Sequence, residues 1–366
     1  MKVLYWVSNE AHKRSCVPIE RYDDIDQAVV LPTSVSTSGL SLKIFKYSHP
    51  NLNEVIGVIK KFKPDVFVQY TSSRHFVNIT KKIGIKHCFS AHGIWPDKSY
   101  NNRIIVVDKF FQNFDLFIGG NIGFEKTLRE YGKVSSTICL NALTQFDVLY
   151  NNMLKQDQIR KGLGNNKVIT IFGHKLSTKT DNLAPYDYGY YAAILELDRL
   201  AKKYGWIVYV KPKGANTREY IKSCKEKWTT INGIKSKYLS SSFKNVKFLS
   251  HNDDPYKYLF SDVIITSARS TIEVEAALIK KPLIRMWMLQ QQPCKIQLSY
   301  EYGAMDFKAE YLVKDIHKLE KNIIKALHNS NELNDNQDKL LAHHGIIFDG
   351  KANKRLLNAI REVGEK

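Results

Sequence analysis

The stretch Ser261–Pro282, SDVIITSARSTIEVEAALIKKP, constrains the fold more than any other part of the chain. Val263, Ile264 and Ile265 are consecutive β-branched residues bounded by Asp262 and Thr266, the pattern of a strand buried on both faces. The polar turn Ser267–Ser270, with Arg269 inside it, leads straight into a helix that Ser270 or Thr271 is expected to cap and that stops before Pro282. The start of such a helix offers unpaired backbone N–H groups and the positive end of the helix dipole, which suits a phosphate or diphosphate. Glu275 follows Thr271 by one helical turn and shares its face. A hydroxyl and a carboxylate so placed can hold the phosphate and the ribose of one nucleotide. An ordinary capped helix in an α/β domain accounts equally well for this stretch taken alone.

The same alternation of strand and helix runs through most of the chain. In the first half, Val3–Val7, Ala28–Leu31, Asp65–Gln69, His87–Ser90, Leu116–Gly119 and Ser136–Leu140 read as strands. Asn53–Phe62, Phe76–Ile83 and Ile122–Tyr131 carry helical spacing. In the second half, Val168–Phe172, Ile207–Val210, Val246–Leu249 and Leu283–Met286 read as strands and Ala192–Tyr204 as a long helix, with a mostly helical tail from Leu312. Alternating β and α signals predict parallel sheets with helices on both faces. The polar stretch from Asn141 to Asn166, rich in Asn, Gln and Lys, predicts a linker. The expected organisation is an N-terminal Rossmann-like domain over 1–145, a linker over 146–166, a second Rossmann-like domain over 167–330, and a helical tail over 331–366 that crosses back to the first domain. In open parallel sheets ligands bind beyond the carboxyl ends of the strands, so two facing domains place the active site in a central cleft. No GxGxxG follows the first strand, which excludes a classical NAD domain.

Charge narrows the partners. Lys and Arg number 55 against 36 Asp and Glu, a formal net charge of +19 spread along the chain. Nucleic acid, an anionic membrane surface or a phosphorylated substrate would each suit that excess. No nucleic-acid motif is present, so no nucleic-acid partner is expected. No apolar run is long enough to span a bilayer, and the start, MKVLYWVSNEAHKRS, lacks the long apolar region of a signal peptide. Cys16, Cys88, Cys139, Cys224 and Cys294 are scattered and never spaced as CxxC, which fits a reducing cytosol and neither a zinc site nor a disulfide framework.

Several side chains fall where a ligand site is expected. His92, in CFSAHGIWPDK, follows the strand His87–Ser90 and precedes Gly93; a histidine at a strand's carboxyl end suits a general base. His87, inside the strand, reads as structural. Lys211 and Lys213, in YVKPKGANTR, follow Ile207–Val210 and are expected to project from the rim and oppose charge on a departing nucleotide. Gly173 and His174 follow Val168–Phe172, where a phosphate- or base-binding turn and a plain strand exit are both consistent with the residues. No DxD metal motif is present, so cations and a helix start must carry the donor's charge, with no metal and no cofactor.

Together these motifs resemble the CDP-glycerol glycerophosphotransferase family, enzymes of teichoic-acid-like polymer synthesis on the GT-B fold. The resemblance runs from about His92 to the C-terminus; residues 1–90 have general Rossmann character. His92–Gly93 with Lys98 is similar to the family's HGxxxK. FDLFIGGNIGFEKTLREYG with the later Asp147 is similar to the segment ending the family's first domain, and IRKGLGNNKVITIFG to the opening of its second. SDVIITSARSTIEVEAALIKKP resembles sDvlItDySSxxxDxxllxkP, and DGKANKR (Asp349–Arg355) resembles DGxaxxR. The resemblance implies His92 as the catalytic base, Ser270 and Thr271 at the donor phosphates, Glu275 as the family's acidic residue and Arg355 as the tail arginine of the cleft. The chain departs from the family where its second histidine becomes Lys213, where the Asp before the paired serines becomes Ala268, and where Lys98 stands one residue further from His92. These departures fit a relative with another activated donor.

The expected function is a transferase of surface-polymer synthesis. It takes a group from a nucleotide-activated donor, CDP- or CMP-linked, to a glycan or lipid-linked acceptor, working in the cytoplasm at an anionic membrane surface. The alternatives are an ordinary UDP- or GDP-sugar glycosyltransferase, a nucleotide-sugar 2-epimerase, and a non-catalytic basic binding protein.

Overall fold

A computed structural model describes residues 1–16, 19, 22–70, 73–91, 93–94, 109–173, 185–212, 243–250, 253–266, 271–286, 304 and 306–366. The chain divides into two compact units, Met1–Asn151 with His344–Lys366, and Asn152–His343.

The first unit is built on strands β1 (Lys2–Trp6), β2 (Asp26–Pro32), β3 (Lys43–Tyr47), β4 (Val66–Gln69), β5 (Lys86–Ser90), β6 (Leu116–Ile118) and β7 (Thr137–Cys139). All pair in parallel, in the order β3-β2-β1-β4-β5-β6-β7. Helices α1 (Glu10–Arg14), α2 (Leu52–Phe62), α3 (Arg74–Lys82), α4 (Ile122–Glu130) and α5 (Gln145–Met153) lie between or after them. One sheet face packs Leu4, Trp6, Val30 and Phe67 against Val55, Ile59 and Phe62 of α2 and Phe76 of α3. The other packs Val3, Tyr5, Val66, Val68 and Ile118 against Leu356, Leu357, Ile360 and Val363 of the C-terminal helix. With both faces covered, the central strands are continuous apolar runs rather than alternating ones.

The second unit begins with α6 (Gln156–Leu163) and contains β8 (Val168–Phe172), α7 (Pro185–Tyr204), β9 (Ile207–Lys211), β10 (Val246–Phe248), α8 (Pro255–Tyr258), β11 (Val263–Thr266), α9 (Ile272–Leu278), β12 (Leu283–Met286), β13 (Tyr311–Val313), α10 (Leu319–His328) and α11 (Asn334–His344). The last helix of the chain, α12 (Ala352–Gly364), is the one that belongs to the first unit. The second sheet is again all parallel, in the order β10-β9-β8-β11-β12-β13. Its core joins Ile169, Ile171, Val263, Ile265 and Ile284 to Ile194 and Leu197 of α7 and Leu319 and Ile323 of α10.

Both units therefore share the doubly wound order 3-2-1-4-5-6, the α/β architecture expected from the alternating pattern. A small sequence device recurs in both. Asp65, Asp115 and Asp262 each stand just before a strand. Each accepts a backbone N–H at the start of the neighbouring strand, from Lys2 at 2.7 Å and Val168 at 2.8 Å, the first residues of β1 and β8, and from His87 at 2.8 Å, the second of β5. The motifs PDVFV, FDLFI and SDVII thus fix register at the amino edge of each sheet, where no ladder bond is available to that N–H.

Three sequence expectations change, and one further strand is added. The stretch over 146–166, expected as a linker, carries most of α5 and all of α6, because Phe146, Leu149 and Leu163 find apolar partners that a polar composition hides. Lys43–Tyr47, which carries no clear strand signal, forms β3 because it is an edge strand with one exposed face. Leu312, expected to open a helical tail, lies in β13. Thr271 does not cap α9 with its side chain: its backbone is already helical (φ −54°, ψ −20°), whereas a capping hydroxyl needs an extended residue.

Candidate functional site

In each sheet the connections reverse direction beside the first strand, between β1 and β4 in the first unit and between β8 and β11 in the second. The carboxyl ends of those strands are where a doubly wound sheet opens a crevice for a ligand.

In the second unit, Phe172 and Thr266 end β8 and β11 in mutual register, with Arg285, the penultimate residue of β12, beside Thr266. Gly173 follows β8, its N–H bonded to the Lys211 carbonyl at 2.9 Å. A Cβ at Gly173 would lie 2.7 Å from the Tyr190 hydroxyl and 2.8 Å from its ring, so the glycine lets α7 approach the strand end. Thr266 is 1% exposed, and its hydroxyl has no hydrogen-bond partner. After the turn, Thr271 and Glu275 stand one helical turn apart, the Glu275 N–H bonded to the Thr271 carbonyl at 2.9 Å. Thr271 is half-buried and Glu275 is buried. The two residues set one turn apart by sequence spacing thus stand on successive turns at the start of α9, beside the switch point.

Lys211 behaves differently from its expectation. It does not project from a rim: it is buried, and its ammonium donates to the Ser250 carbonyl at 2.9 Å. As the last residue of β9, a strand flanked by β8 and β10, it runs its stem among neighbouring chains and finds the nearest carbonyl. His92, His174, Lys213, Ser267, Arg269 and Ser270 lie outside the described residues.

Around α9 the structure adds a cluster that sequence reasoning missed. Glu273 projects to the opposite side of the helix from Glu275 and pairs with Arg285, whose Nε lies 2.8 Å from Oε1 of Glu310. All three side chains are essentially inaccessible. The available signal was a lone arginine inside the apolar strand LIRM.

In the first unit the carboxyl edge carries Ser8, whose hydroxyl meets Nδ1 of His12 at 2.9 Å, with the His12 ring stacked on Tyr70. Gln69, the last residue of β4, is fully buried, and neither end of its carboxamide has a hydrogen-bond partner. Gln69 and Thr266 occupy equivalent positions in the two sheets, each ending the strand across the switch point.

Arg355, expected to face a cleft, is engaged within the first unit. Its guanidinium forms a two-pronged pair with Asp349 at 2.9 and 3.0 Å, and its Nε donates to the Asn141 carbonyl at 2.7 Å. That guanidinium holds the Asp349 carboxyl below the usual range. Asp147 accepts the N–H groups of Ala352 at 2.9 Å and Asn353 at 2.7 Å, capping α12 from 205 residues away. Burial pushes the Asp147 carboxyl up, and these two N–H groups pull it partly back. The DGKANKR segment is thus a clip that fastens the last helix to the first unit. Asp147→Ala should cost about 1–2 kcal/mol, read from denaturant unfolding, by orphaning N–H groups at that helix start.

No family model and no curated protein sequence matches the chain. Solved structures do resemble it. The wall teichoic acid polymerase TagF superposes with a TM-score of 0.71 at 14% identity, covering 99% of this chain and 89% of that one. A putative UDP-N-acetylglucosamine 2-epimerase from Listeria monocytogenes gives 0.64 at 15% identity, covering 100% and 96%. The UDP-GlcNAc 2-epimerase of Methanocaldococcus jannaschii, in complex with UDP-GlcNAc and UDP, gives 0.63 at 14% identity, covering 99% and 100%. The chain has a GT-B-like fold. At these identities the likeness concerns the fold, and TagF is the kind of neighbour that the motif resemblance anticipates.

Proposed function

We propose that the chain is a transferase that moves a glycerol-phosphate or glycosyl group from a nucleotide-activated donor, CDP- or CMP-linked, to a hydroxyl of a glycan or lipid-linked acceptor in surface-polymer synthesis. The observation that carries the reading is the Thr271–Glu275 pair, one turn apart at the switch point of the second sheet, inside the motif that resembles the glycerophosphotransferase donor site. The full-length likeness in fold to TagF supports it.

In this reading Thr271, with Ser267, Arg269 and Ser270 and the turn at Gly173 and His174, holds the donor phosphates, and Glu275 takes the ribose hydroxyls. Lys213 opposes the charge left on the departing nucleotide. His92 accepts the acceptor hydroxyl's proton. With CDP-glycerol the acceptor oxygen bonds to phosphorus as the bond to CMP breaks, and catalysis is positioning and charge stabilisation. With a nucleotide sugar the acceptor oxygen attacks the anomeric carbon.

A 2-epimerase is the second reading, favoured by the equally complete coverage of the two epimerase structures. That chemistry needs several acidic side chains facing the ligand. Glu273, at the start of α9, and Glu310, just before β13, are both buried and engaged with Arg285, which favours the transferase.

A thermal-shift panel of CDP-glycerol, CDP, CMP, UDP, GDP and their sugar conjugates tests the reading. A ligand at 100 times its Kd stabilises the folded state by about 2.7 kcal/mol. Cytidine nucleotides should raise Tm, and Glu275→Gln should abolish most of that rise with little change in the ligand-free Tm. A rise with UDP-GlcNAc alone, accompanied by its epimerisation, would move the assignment to the second reading.

A further inference from the structure

Helices α2 and α3 pack on the same face of the first sheet, so their C-terminal ends emerge side by side at its amino edge, the edge opposite the switch point. The segments that leave them are KKFKP and KKIGIK. Lys60, Lys61, Lys63, Lys81 and Lys82 are exposed there and Lys86 is half-exposed. The nearest acidic side chain in the first segment, Asp65, is occupied by the Lys2 N–H at 2.7 Å.

Lysines at helix C-termini complement the helix dipole, and one or two per helix would do that. Two further features go beyond it. Ile83 stands 47% exposed between Lys82 and Lys86, an apolar tip inside a cationic rim. Beside it lies a groove of about 530 Å³ lined by Lys81, Lys86, Asn113, Ser135, Ser136 and Thr137 among others. Asp115 also lines the groove, with its carboxylate bonded to the His87 N–H at 2.8 Å. The Ser136 hydroxyl donates to the Phe114 carbonyl at 2.5 Å and Lys81 to Asn113 Oδ1 at 3.3 Å; with Lys86, the hydroxyls of Ser135 and Thr137 and an isoleucine at its lip, the groove still matches a headgroup that carries a phosphate and free hydroxyls, on a molecule whose remainder is apolar.

We propose that this edge of the first unit docks on an anionic phospholipid surface, with Ile83 entering the acyl boundary, the lysines around it meeting lipid phosphates, and the groove taking a headgroup of the phosphatidylglycerol type. Lysine stems cover apolar surface while their ammonium groups stay at the headgroup level, so the mixed composition suits an interface better than either bulk phase. No helix among the described residues is long and apolar enough to cross a membrane, so attachment here is by surface contact. The proposal does not depend on the identity of the donor nucleotide.

Vesicle co-sedimentation tests it, using the full chain with phosphatidylcholine vesicles and with vesicles that also contain phosphatidylglycerol. The protein should partition onto the anionic vesicles, little onto the neutral ones, and be released at high salt, where screening shortens to a few ångströms. Each lysine near such a surface contributes roughly fivefold in partitioning. The double variant Lys61→Gln/Lys82→Gln should therefore bind roughly 25-fold more weakly, and Ile83→Ser roughly tenfold more weakly. Both should keep the wild-type Tm and nucleotide response, while Glu275→Gln should bind vesicles as the wild type does. Equal binding to neutral vesicles, no binding to either kind, or variants that bind like the wild type would overturn the proposal. So would retention on DNA with none on anionic vesicles.

Discussion

Replacing Arg285 by methionine should destabilise the second unit by about 3–5 kcal/mol, a large part of the stability of a typical domain. Arg285 sits on β12, an interior strand between β11 and β13, with Glu273 reaching it from α9 and Glu310 from the approach to β13. Removing the guanidinium takes from two buried carboxylates the cation they share. Either the pair stays ionised and uncompensated, or at least one takes up a proton. The variant's carboxyls would then have raised folded pKa values. Its stability relative to wild type should recover as pH falls toward the carboxylate range and worsen as pH rises above it. The control is Glu273→Leu/Arg285→Met/Glu310→Leu, which removes every buried charge at similar volume and should restore most of the loss. Denaturant unfolding of the three proteins at neutral and mildly acid pH reads all of this. A single variant as stable as wild type at pH 7 would show that the cluster contributes nothing.

Acid should destabilise the first unit through His87. This residue of β5 is 2% exposed, and its ring lies edge-on to Phe67 and Phe114 at 5.2 and 4.8 Å. Its Nδ1 meets Thr80 Oγ1 at 2.7 Å, and its Nε2 has no partner. The Thr80 hydroxyl proton is directed to the Phe76 carbonyl at 2.9 Å, so the histidine donates from Nδ1 and leaves Nε2 bare. Burial lowers its pKa from 6.5 to about 3. The sign follows from the depressed folded value. The contribution of neutral His87 is fully present above pH 6.5, where both states are unprotonated, and is lost as pH falls from there toward 3, because only the unfolded chain takes the proton. The limiting slope is about 1.4 kcal/mol per pH unit, or roughly 2 kcal/mol between pH 6.5 and 4.5, because the unfolded histidine is half protonated at the upper end. His87→Leu keeps the volume and removes the titration, so its stability should fall that much less over the same interval. Parallel acid limbs in the two proteins would sink the assignment.

The fold was legible because both sheets are buried on two faces. The strands Val3–Val7, Val168–Phe172 and Val263–Ile265 are runs of apolar residues that have no other stable arrangement at that length, and the spacing between them demands crossover helices. The elements that were missed owe their form to partners distant in sequence. Lys43–Tyr47 becomes β3 by pairing with β2 at the edge of the sheet, a partner that the linear order does not show. Gln145–Met153 and Gln156–Leu163 look like a linker, and become helices as Phe146, Leu149 and Leu163 are buried.

The candidate site divides in the same way. A one-turn separation is a property of sequence spacing, so the linear order of the chain already pairs Thr271 with Glu275. Partners reached through space are not fixed in that way. The capture of Lys211 by Ser250, of Arg355 by Asp349 and Asn141, and of Glu273 by Arg285 all depend on which strand ends lie side by side. The unpartnered side chains of Gln69 and Thr266 likewise become notable only once the strand order sets them at the two switch points. The sequence by itself determined two parallel-sheet units and the acidic–hydroxyl pair that follows β11, because local periodicity and helix geometry suffice for both. The tertiary structure alone decided which charges are consumed in buried pairs and which helix, α12, completes the first unit, because burial and pairing are set by neighbours that the linear order does not place together.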